Sequence, residues 1–269
     1  MLSCDGCDIA LHRSGTGEPL LLIHANGMSH RAWEPVLEHL EPHHDVIAID
    51  LPGHGESGVI APHLAPAPPG FARVFATLLD RLGIERAHVA GNSLGGWTAL
   101  ELAKLGRARS VCALGPAGLW ETGPVKPMLR LALPYLLARR WRRLAPRVMG
   151  TAPLRALLLR HPIGHPERVP AQAASQMAAD LARAKGFLPT LVATHSGAFR
   201  GGREIEVPVT VVFGHLDRVV PSTARRRDLL PRQTRWLEPS ALGHVPMWDD
   251  PRSVAGFILD TAVAAHAQQ

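Results

Sequence analysis

The sequence is poor in cysteine and has no long apolar run. Only three of its 269 residues are cysteine, and an odd count in a chain of this size does not indicate a disulfide framework. No stretch of about 18 apolar residues occurs, which argues against a membrane span. The N-terminus lacks the apolar segment of a secretory signal. A reducing cytoplasm is therefore the expected setting.

Lysine and aromatic residues are also scarce. The net charge is +6, but only three of the 29 basic residues are lysine. Such a bias towards arginine is a feature of composition and is weak evidence for a nucleic-acid partner, so none is predicted. Cys4 and Cys7 have C-x-x-C spacing, but no second pair completes a zinc site. Redox or metal chemistry is therefore the less favoured interpretation of this pair.

What the sequence does have is a regular alternation of apolar runs and helical patterns. Apolar runs bounded by Gly, Pro or Asp occur near 19–27, 45–55, 109–116 and 207–217, and another precedes the glycines at 91–96. The segment 71–82 places its apolar residues on one helical face. This alternation predicts an α/β fold with a mostly parallel central sheet flanked by helices.

Residues 120–203 interrupt the alternation. They contain no convincing strand, but many leucines, arginines and prolines. We interpret them as an inserted helical segment between two strands of the sheet. The predicted domain organisation is therefore a core formed by 1–119 and 204–269, with a helical insertion at 120–203.

Three glycines surround one serine in the segment 91–97, GNSLGGW. Gly91 to Gly95 fit the pattern G-x-S-x-G, and they lie between a predicted strand and a predicted helix. A sharp turn in that context holds the serine hydroxyl out for attack and requires small residues two positions before and after it. The alternative is an ordinary helix-capping serine in a glycine turn. The pentapeptide alone does not separate the two.

A serine hydroxyl needs an adjacent base, which is itself oriented by a carboxylate. Asp217 follows the apolar run VTVVFGHL, and His244 follows a shorter run in TRWLEPSALGH. The chain order is therefore Ser93, Asp217, His244. This order is the one used by a large class of serine hydrolases.

At these residues the chain resembles the α/β-hydrolase superfamily over most of its length. LLIHANG resembles the histidine-glycine loop of that family, with Ala25 in place of the usual glycine, and DLPGHGES is similar to its D-x-x-G-x-G-x-S segment. GHLDRVVP and GHVPMWDDP resemble its acid and histidine loops. The insertion at 120–203 occupies the place of the family's helical cap.

The resemblance implies a role for each matching residue. Ser93 would be the nucleophile, His244 the general base and acid, and Asp217 the carboxylate that orients the histidine. The backbone N–H groups of Asn26 and Leu94 would form the oxyanion hole. Rival acids are Glu121, Asp249 and Asp250, and Asp217 has the better loop match. His24 is expected to orient its loop rather than to react.

The implied activity is cleavage of a small-molecule carboxylic ester or related carbonyl compound through an acyl-enzyme, without metal or organic cofactor. Epoxide hydrolases of the superfamily use an aspartate nucleophile and cap tyrosines, whereas this chain has Ser93 and a single tyrosine, Tyr135. Carbon–carbon bond hydrolases of ring-fission pathways use serine, but usually carry tryptophan where this chain has Val245. They are the second choice. A hydrolase-fold binding protein with an idle triad is the third.

The predicted cap is strongly basic. No acidic residue lies between Glu121 and Glu167, and leucines alternate there with basic residues. This pattern is typical of a solvated helix face on a leucine-packed cap. The alternative is a surface that makes weak contact with anionic lipid or steers acidic substrates. The basic residues are Lys126, Arg130, Arg139, Arg140, Arg142, Arg143, Arg147, Arg155 and Arg160.

Overall fold

A seven-stranded sheet forms the centre of the molecule, in a computed structural model that describes residues 1–120, 126–195 and 197–267. The strand order is β3-β5-β4-β6-β7-β8-β9. All neighbouring pairs are parallel except β3 with β5, which confirms the predicted mostly parallel sheet. The strands are β3 (Leu11–Ser14), β4 (Glu18–Ile23), β5 (His44–Ile49), β6 (Ala87–Asn92), β7 (Ala108–Leu114), β8 (Val209–Val212) and β9 (Arg235–Leu237).

The central strands are mostly apolar because both faces of the sheet are covered. In β4, Leu21 and Ile23 pack into the core on one face, whereas Leu20 and Leu22 pack into the core on the other. All four are fully buried. A strand with period-two side chains and two covered faces favours an apolar residue at every position, which explains the continuous apolar run of β4.

Helices cover the two faces of the sheet. The helices α2 (Pro68–Arg81) and α3 (Leu94–Lys104) contribute to the first core, and α1 (Glu34–Leu40) and α9 (Pro251–His266) contribute to the second. The helix predicted at 71–82 begins three residues earlier, with prolines in its first turn. Proline is favoured there because the first amides of a helix have no internal partner.

The C-x-x-C pair forms the ends of a β-hairpin. Strands β1 (Leu2–Cys4) and β2 (Cys7–Ile9) pair antiparallel, with Cys4 opposite Cys7. Asp5 and Gly6 form the turn with φ of 51° and 77°, which is the two-residue geometry that Asp-Gly favours. Both thiols are free and buried, and burial raises the pKa of Cys7 to about 11. Neither thiol therefore has the features of a reactive cysteine.

Helices occupy the segment between β7 and β8, and its described residues contain no strand. They are α4 (Lys126–Arg140), α5 (Ala145–Gly150), α6 (Ala152–Leu159), α7 (Ala171–Arg183) and α8 (Phe187–His195). The segment is joined to the rest of the chain by backbone hydrogen bonds from Gly186 N to Gly53 O (2.9 Å) and from Val245 N to Pro162 O (2.8 Å). The division into core and cap at 120 and 203 stays a prediction.

Candidate active site

Ser93 lies in the tight turn between β6 and α3. Its backbone has φ 55° and ψ −112°, a region that residues other than glycine rarely occupy. Of the non-glycine residues described, only Asp5 and Ser93 have positive φ. The Ser93 side chain caps no backbone amide of α3, so the helix-capping alternative does not fit the geometry. The serine is held in a strained turn with its hydroxyl not used for structure.

The glycines beside Ser93 are required by close backbone contacts. A Cβ atom on Gly91 would overlap the carbonyl of Gly95, and one on Gly95 would overlap the carbonyl of Ile23 at the end of β4. A Cβ atom on Gly96 would lie 3.0 Å from the side chain of Pro116. The first turn of α3 is thus packed directly onto the ends of neighbouring strands. This packing explains the G-x-S-x-G spacing in physical terms.

His244 and Asp217 form a buried hydrogen-bonded pair. His244 Nδ1 donates to Asp217 Oδ2 at 2.9 Å, and the other carboxylate oxygen accepts from the amides of Val219 (2.8 Å) and Val220 (2.9 Å). Burial by itself would raise the pKa of Asp217. The charge and hydrogen bond of His244 and the two amides outweigh burial and hold this pKa below its ordinary value.

The end of β7 lies next to both the serine turn and the His244–Asp217 pair. Ser93 N donates to Leu114 O at 2.9 Å. At the next residue, a Cβ atom on Gly115 would lie 3.1 Å from His244 Nδ1 and 3.3 Å from Asp217 Oδ2. Ser93 therefore contacts the end of β7 at Leu114, and the His244–Asp217 pair lies beside the next residue, Gly115, at the same carboxyl edge of the sheet.

Asn92 is a further member of the site, one that the sequence analysis did not identify. Its side chain is fully buried, and Nδ2 donates to His244 O at 2.7 Å and to Leu114 O at 2.9 Å. It thereby ties the histidine loop to the residue before the serine. The signal was present, because a polar residue at the end of a fully buried strand needs hydrogen-bond partners.

The two amides predicted for the oxyanion hole are free to donate. Neither Asn26 N nor Leu94 N has a hydrogen-bond acceptor among the residues that the structure describes. The Asn26 side chain is fixed on both sides, since Oδ1 lies 2.8 Å from His54 Nε2 and Nδ2 donates to Phe187 O at 3.3 Å. The second contact links the loop after β4 to the start of α8.

His24 has the structural role expected for it. Its ring is fully buried; Nε2 accepts the Leu51 amide at 2.9 Å, and Nδ1 faces Ala25 O at 2.7 Å. The accepting Nε2 requires the neutral tautomer with the proton on Nδ1. Burial lowers the pKa of His24, which keeps the ring neutral. The ring thus connects the loops that follow β4 and β5.

The rival acids have other partners. The Asp249 carboxylate accepts from the amides of Gly243 (2.7 Å), Gly164 (3.2 Å) and His165 (2.6 Å). It therefore braces the histidine loop against residues 164–165. Asp250 accepts from Ser253 N at 3.0 Å and caps α9. Glu121, the third rival, lies outside the described residues.

Other polar clusters lie away from Ser93. Glu18, His88 and His266 bring their ligand atoms within 4.8 Å of one another, at the amino end of the strands. Arg109 already pairs with Glu18 at 3.1 Å, so we assign this cluster to a surface charge network. A recess of about 630 Å³ is lined by Arg203, Trp236 and their neighbours, and includes no residue of the Ser93 site.

Comparisons with known proteins place these features in context. A model of the alpha/beta hydrolase family matches residues 20–257. The Mycobacterium tuberculosis protein named epoxide hydrolase EphH is 36% identical in a match that covers 67% of this chain and 87% of that protein. A Comamonas testosteroni protein named 2-hydroxy-6-oxo-6-phenylhexa-2,4-dienoate hydrolase is 35% identical in a match that covers 43% of each chain.

Solved structures show the same architecture. A thermophilic esterase from Thermogutta terrifontis matches with a TM-score of 0.72 at 23% identity, covering 96% of this chain and 94% of the esterase. An enol-lactonase from Burkholderia xenovorans LB400 matches with a TM-score of 0.76 at 21% identity, covering 97% and 98%. At these identities the likeness shows the fold alone. None of the described helices is long and apolar enough to cross a bilayer.

Proposed function

The chain belongs to the alpha/beta hydrolase family, and on that premise we propose that it is a serine hydrolase that cleaves a small or medium carboxylic ester. The observation that carries the proposal is the arrangement around Leu114 and Gly115. Ser93 has positive φ and a hydroxyl that forms no hydrogen bond with the described residues, and its amide is bound to Leu114 O, while the His244–Asp217 pair lies next to Gly115. These are the groups that nucleophilic catalysis by serine requires, a hydroxyl and a base oriented by a carboxylate.

The His244–Asp217 hydrogen bond defines the direction of proton transfer. Because Nδ1 donates to Asp217, the neutral ring has its lone pair on Nε2. In the proposed reaction His244 Nε2 takes the Ser93 proton as Oγ bonds to the substrate carbonyl carbon. The ester C–O bond then breaks, and the departing alcohol receives that proton. Water repeats the two steps on the acyl-enzyme and releases the acid and free Ser93.

Asp217 and the two free amides stabilise the charges that form in these steps. Asp217 is held ionised by His244 and by two backbone amides, so it stabilises the imidazolium at neutral pH. The amides of Asn26 and Leu94 would bind the oxyanion of the tetrahedral intermediate. One such donor is worth about 10² to 10³ in rate. The Leu94 amide is also at the N-terminus of α3, where the helix dipole favours negative charge.

Epoxide opening is a poorer fit than ester cleavage, although one relative is named an epoxide hydrolase. Epoxide hydrolases of the superfamily are expected to use an aspartate nucleophile, whereas this turn carries Ser93. They are also expected to use cap tyrosines that protonate the epoxide. The only tyrosine, Tyr135, is buried, with its ring stacked on Phe187 at 4.7 Å and its hydroxyl accepting from Arg139.

Carbon–carbon bond hydrolysis is the second candidate. It is favoured by the relative named as a hydrolase of a phenylhexadienoate, and it uses the same nucleophile. Against it stands Val245, which occupies the position of the usual tryptophan. A panel of p-nitrophenyl esters beside a ring-fission dienoate separates the two. Turnover of the dienoate alone would favour carbon–carbon cleavage over ester cleavage.

Active-site labelling with a fluorophosphonate probe tests whether the serine reacts at all. We expect about one label per chain in the wild type and none in Ser93→Ala. Ser240→Ala, which changes an exposed serine elsewhere, is the matched control and should label like the wild type. A folded wild-type protein that takes up no label would favour the binding-protein alternative and overturn the proposed mechanism.

A further inference from the structure

Exposed apolar side chains are concentrated on one part of the helical segment. Of the thirteen large apolar residues that are exposed in the described chain, eight lie between positions 133 and 158. Leu133, Leu136 and Leu137 belong to α4, and Trp141 and Leu144 follow in the turn after it. Leu154, Leu157 and Leu158 belong to α6. Their exposed fractions lie between 40% and 54%. We refer to these eight residues as the cap face.

The exposure follows from how α4 packs. Tyr135 lies on the buried side of this helix, where its ring stacks on Phe187 of α8. Leu133, Leu136 and Leu137 are spaced by three and four residues, which places them together on one face, and that face is exposed. In α6 only Leu159 is buried. Among the side chains that the structure describes, both helices therefore use few apolar residues for internal packing and expose the others.

Four exposed arginines lie at the end of α4, in the turn after it and in α5, close in sequence to the leucines of the cap face. They are Arg140, Arg142, Arg143 and Arg147, and within the described residues none of them forms an ion pair or a side-chain hydrogen bond. No acidic residue occurs between Glu121 and Glu167. Several surface arginines elsewhere pair with carboxylates, as Arg13 does with Asp45 at 2.6 Å. The positive charge of these four arginines is thus not neutralised by any residue that the structure describes.

We propose that the cap face binds the surface of an anionic lipid bilayer. Arginines next to exposed leucines and a tryptophan match such a surface, because the charges meet acidic headgroups while the apolar groups enter the interface. A second copy of the chain is a poorer occupant, since two cap faces would bring arginines against arginines. Nucleic acid would use the charges but leave the leucines in water. The inference goes beyond the proposed hydrolase activity and does not require Ser93.

Vesicle flotation of the full-length protein tests the proposal. We use 100 nm vesicles of phosphatidylcholine alone, or of phosphatidylcholine with about a third phosphatidylglycerol. The protein should float with the anionic vesicles at low salt and not with the neutral ones. High salt should weaken the binding, since an exposed arginine contributes about fivefold in partition near an anionic surface and salt screens it. Entry of the Trp141 side chain into the bilayer interface should shift the tryptophan emission to shorter wavelength. Trp141→Phe should abolish that shift.

Charge-matched variants locate the binding surface. The triple variant Arg140→Gln, Arg142→Gln, Arg143→Gln should lower the partition coefficient at least about tenfold. The control Arg73→Gln, Arg81→Gln, Arg252→Gln removes the same net charge from exposed positions elsewhere and should bind like the wild type.

Apolar variants and the oligomeric state complete the test. Leu136→Asn with Leu137→Asn should weaken binding at least about tenfold, whereas Leu105→Asn, at an exposed leucine elsewhere, should not. Ser93→Ala should bind vesicles as the wild type does, so loss of hydrolysis and loss of binding are separate results. Absent flotation at low salt, or equal effects of the two triple variants, would overturn the proposal. So would light scattering showing a dimer that the leucine variants dissociate.

Discussion

Replacing Asn92 by aspartate tests the most specific feature of the site. The Asn92 amide nitrogen lies 2.7 Å from His244 O and 2.9 Å from Leu114 O, in a fully buried position. Both neighbours are carbonyl oxygens, so only a donor fits there. Asn92→Asp keeps the shape of the side chain but replaces the donor by oxygen. An ionised carboxylate would face two carbonyls without a compensating hydrogen bond.

The size of the effect depends on pH in a defined direction. A protonated carboxyl has one O–H and retains one of the two hydrogen bonds, so the expected loss below about pH 4, where both states are protonated, is about 1 kcal/mol. Burial beside two carbonyls raises the folded-state pKa of the new carboxyl above its unfolded value of about 3.9. The folded state then binds the proton more tightly than the unfolded state, so the free energy of unfolding decreases as pH rises. The loss grows by about 1.4 kcal/mol per pH unit until the folded-state pKa is reached.

Urea unfolding at pH 5, 6 and 7 measures this dependence. Asn92→Ala is the matched control, because it removes both hydrogen bonds but introduces no titratable group. The unfolding free energy of Asn92→Asp relative to that of Asn92→Ala should therefore fall between pH 5 and pH 7, by at most about 2.7 kcal/mol. A difference that does not vary with pH would refute the assignment of Asn92 as a buried donor to the histidine loop.

Two further predictions concern the imidazole rings. Asp217→Asn should lower kcat for p-nitrophenyl acetate about 10³- to 10⁴-fold, because the imidazolium and the required tautomer of His244 lose their stabilising carboxylate. The control Asp250→Asn should leave kcat unchanged. Equal kcat values for the two variants would contradict the role of Asp217. Burial lowers the pKa of His54 from 6.5 to about 3, so the stability due to neutral His54 is complete above pH 6.5 and is lost as pH falls towards 3. In urea unfolding, His54→Gln should make the unfolding free energy fall less steeply with decreasing pH, by about 1.4 kcal/mol per pH unit. A slope equal to that of the wild type would contradict this prediction.

The sheet could be predicted because burial on two faces leaves a clear trace in the sequence. Leu20 to Ile23 are apolar at every position since each packs into one core or the other. Shorter elements are harder to predict. Asp5 and Gly6 are a standard signal for a two-residue hairpin turn, but only the C-x-x-C spacing of the flanking cysteines entered the prediction, and the hairpin was not predicted. The helix α9 was not predicted either, although it begins with Asp250 as cap and Pro251 in its first turn.

The loop match favours Asp217 among the acidic residues, and the coordinates show what each carboxylate contacts. Asp217 follows β8, whereas Asp249 belongs to the same segment as His244, and each carboxylate accepts several hydrogen bonds. The difference is spatial: Asp217 faces the His244 ring, whereas Asp249 faces backbone amides of residues 164, 165 and 243. Sequence separation does not report on this, because Asp217 is 27 positions from His244 and Asp249 only five.

The strand order explains why a glycine lies close to the His244–Asp217 hydrogen bond. Ser93 follows β6, Asp217 follows β8 and His244 follows β9, and β7 lies between β6 and β8 in the sheet. The chain leaving β7 must therefore pass between the serine turn and the imidazole–carboxylate pair. Gly115 is at that point with φ 51°, and a Cβ atom would lie 3.1 Å from His244 Nδ1. A side chain there would push the ring away from Ser93. The missing side chain at Gly115 is thus as much a part of the candidate site as Ser93, Asp217 and His244, and no hydrolase motif in the sequence contains it.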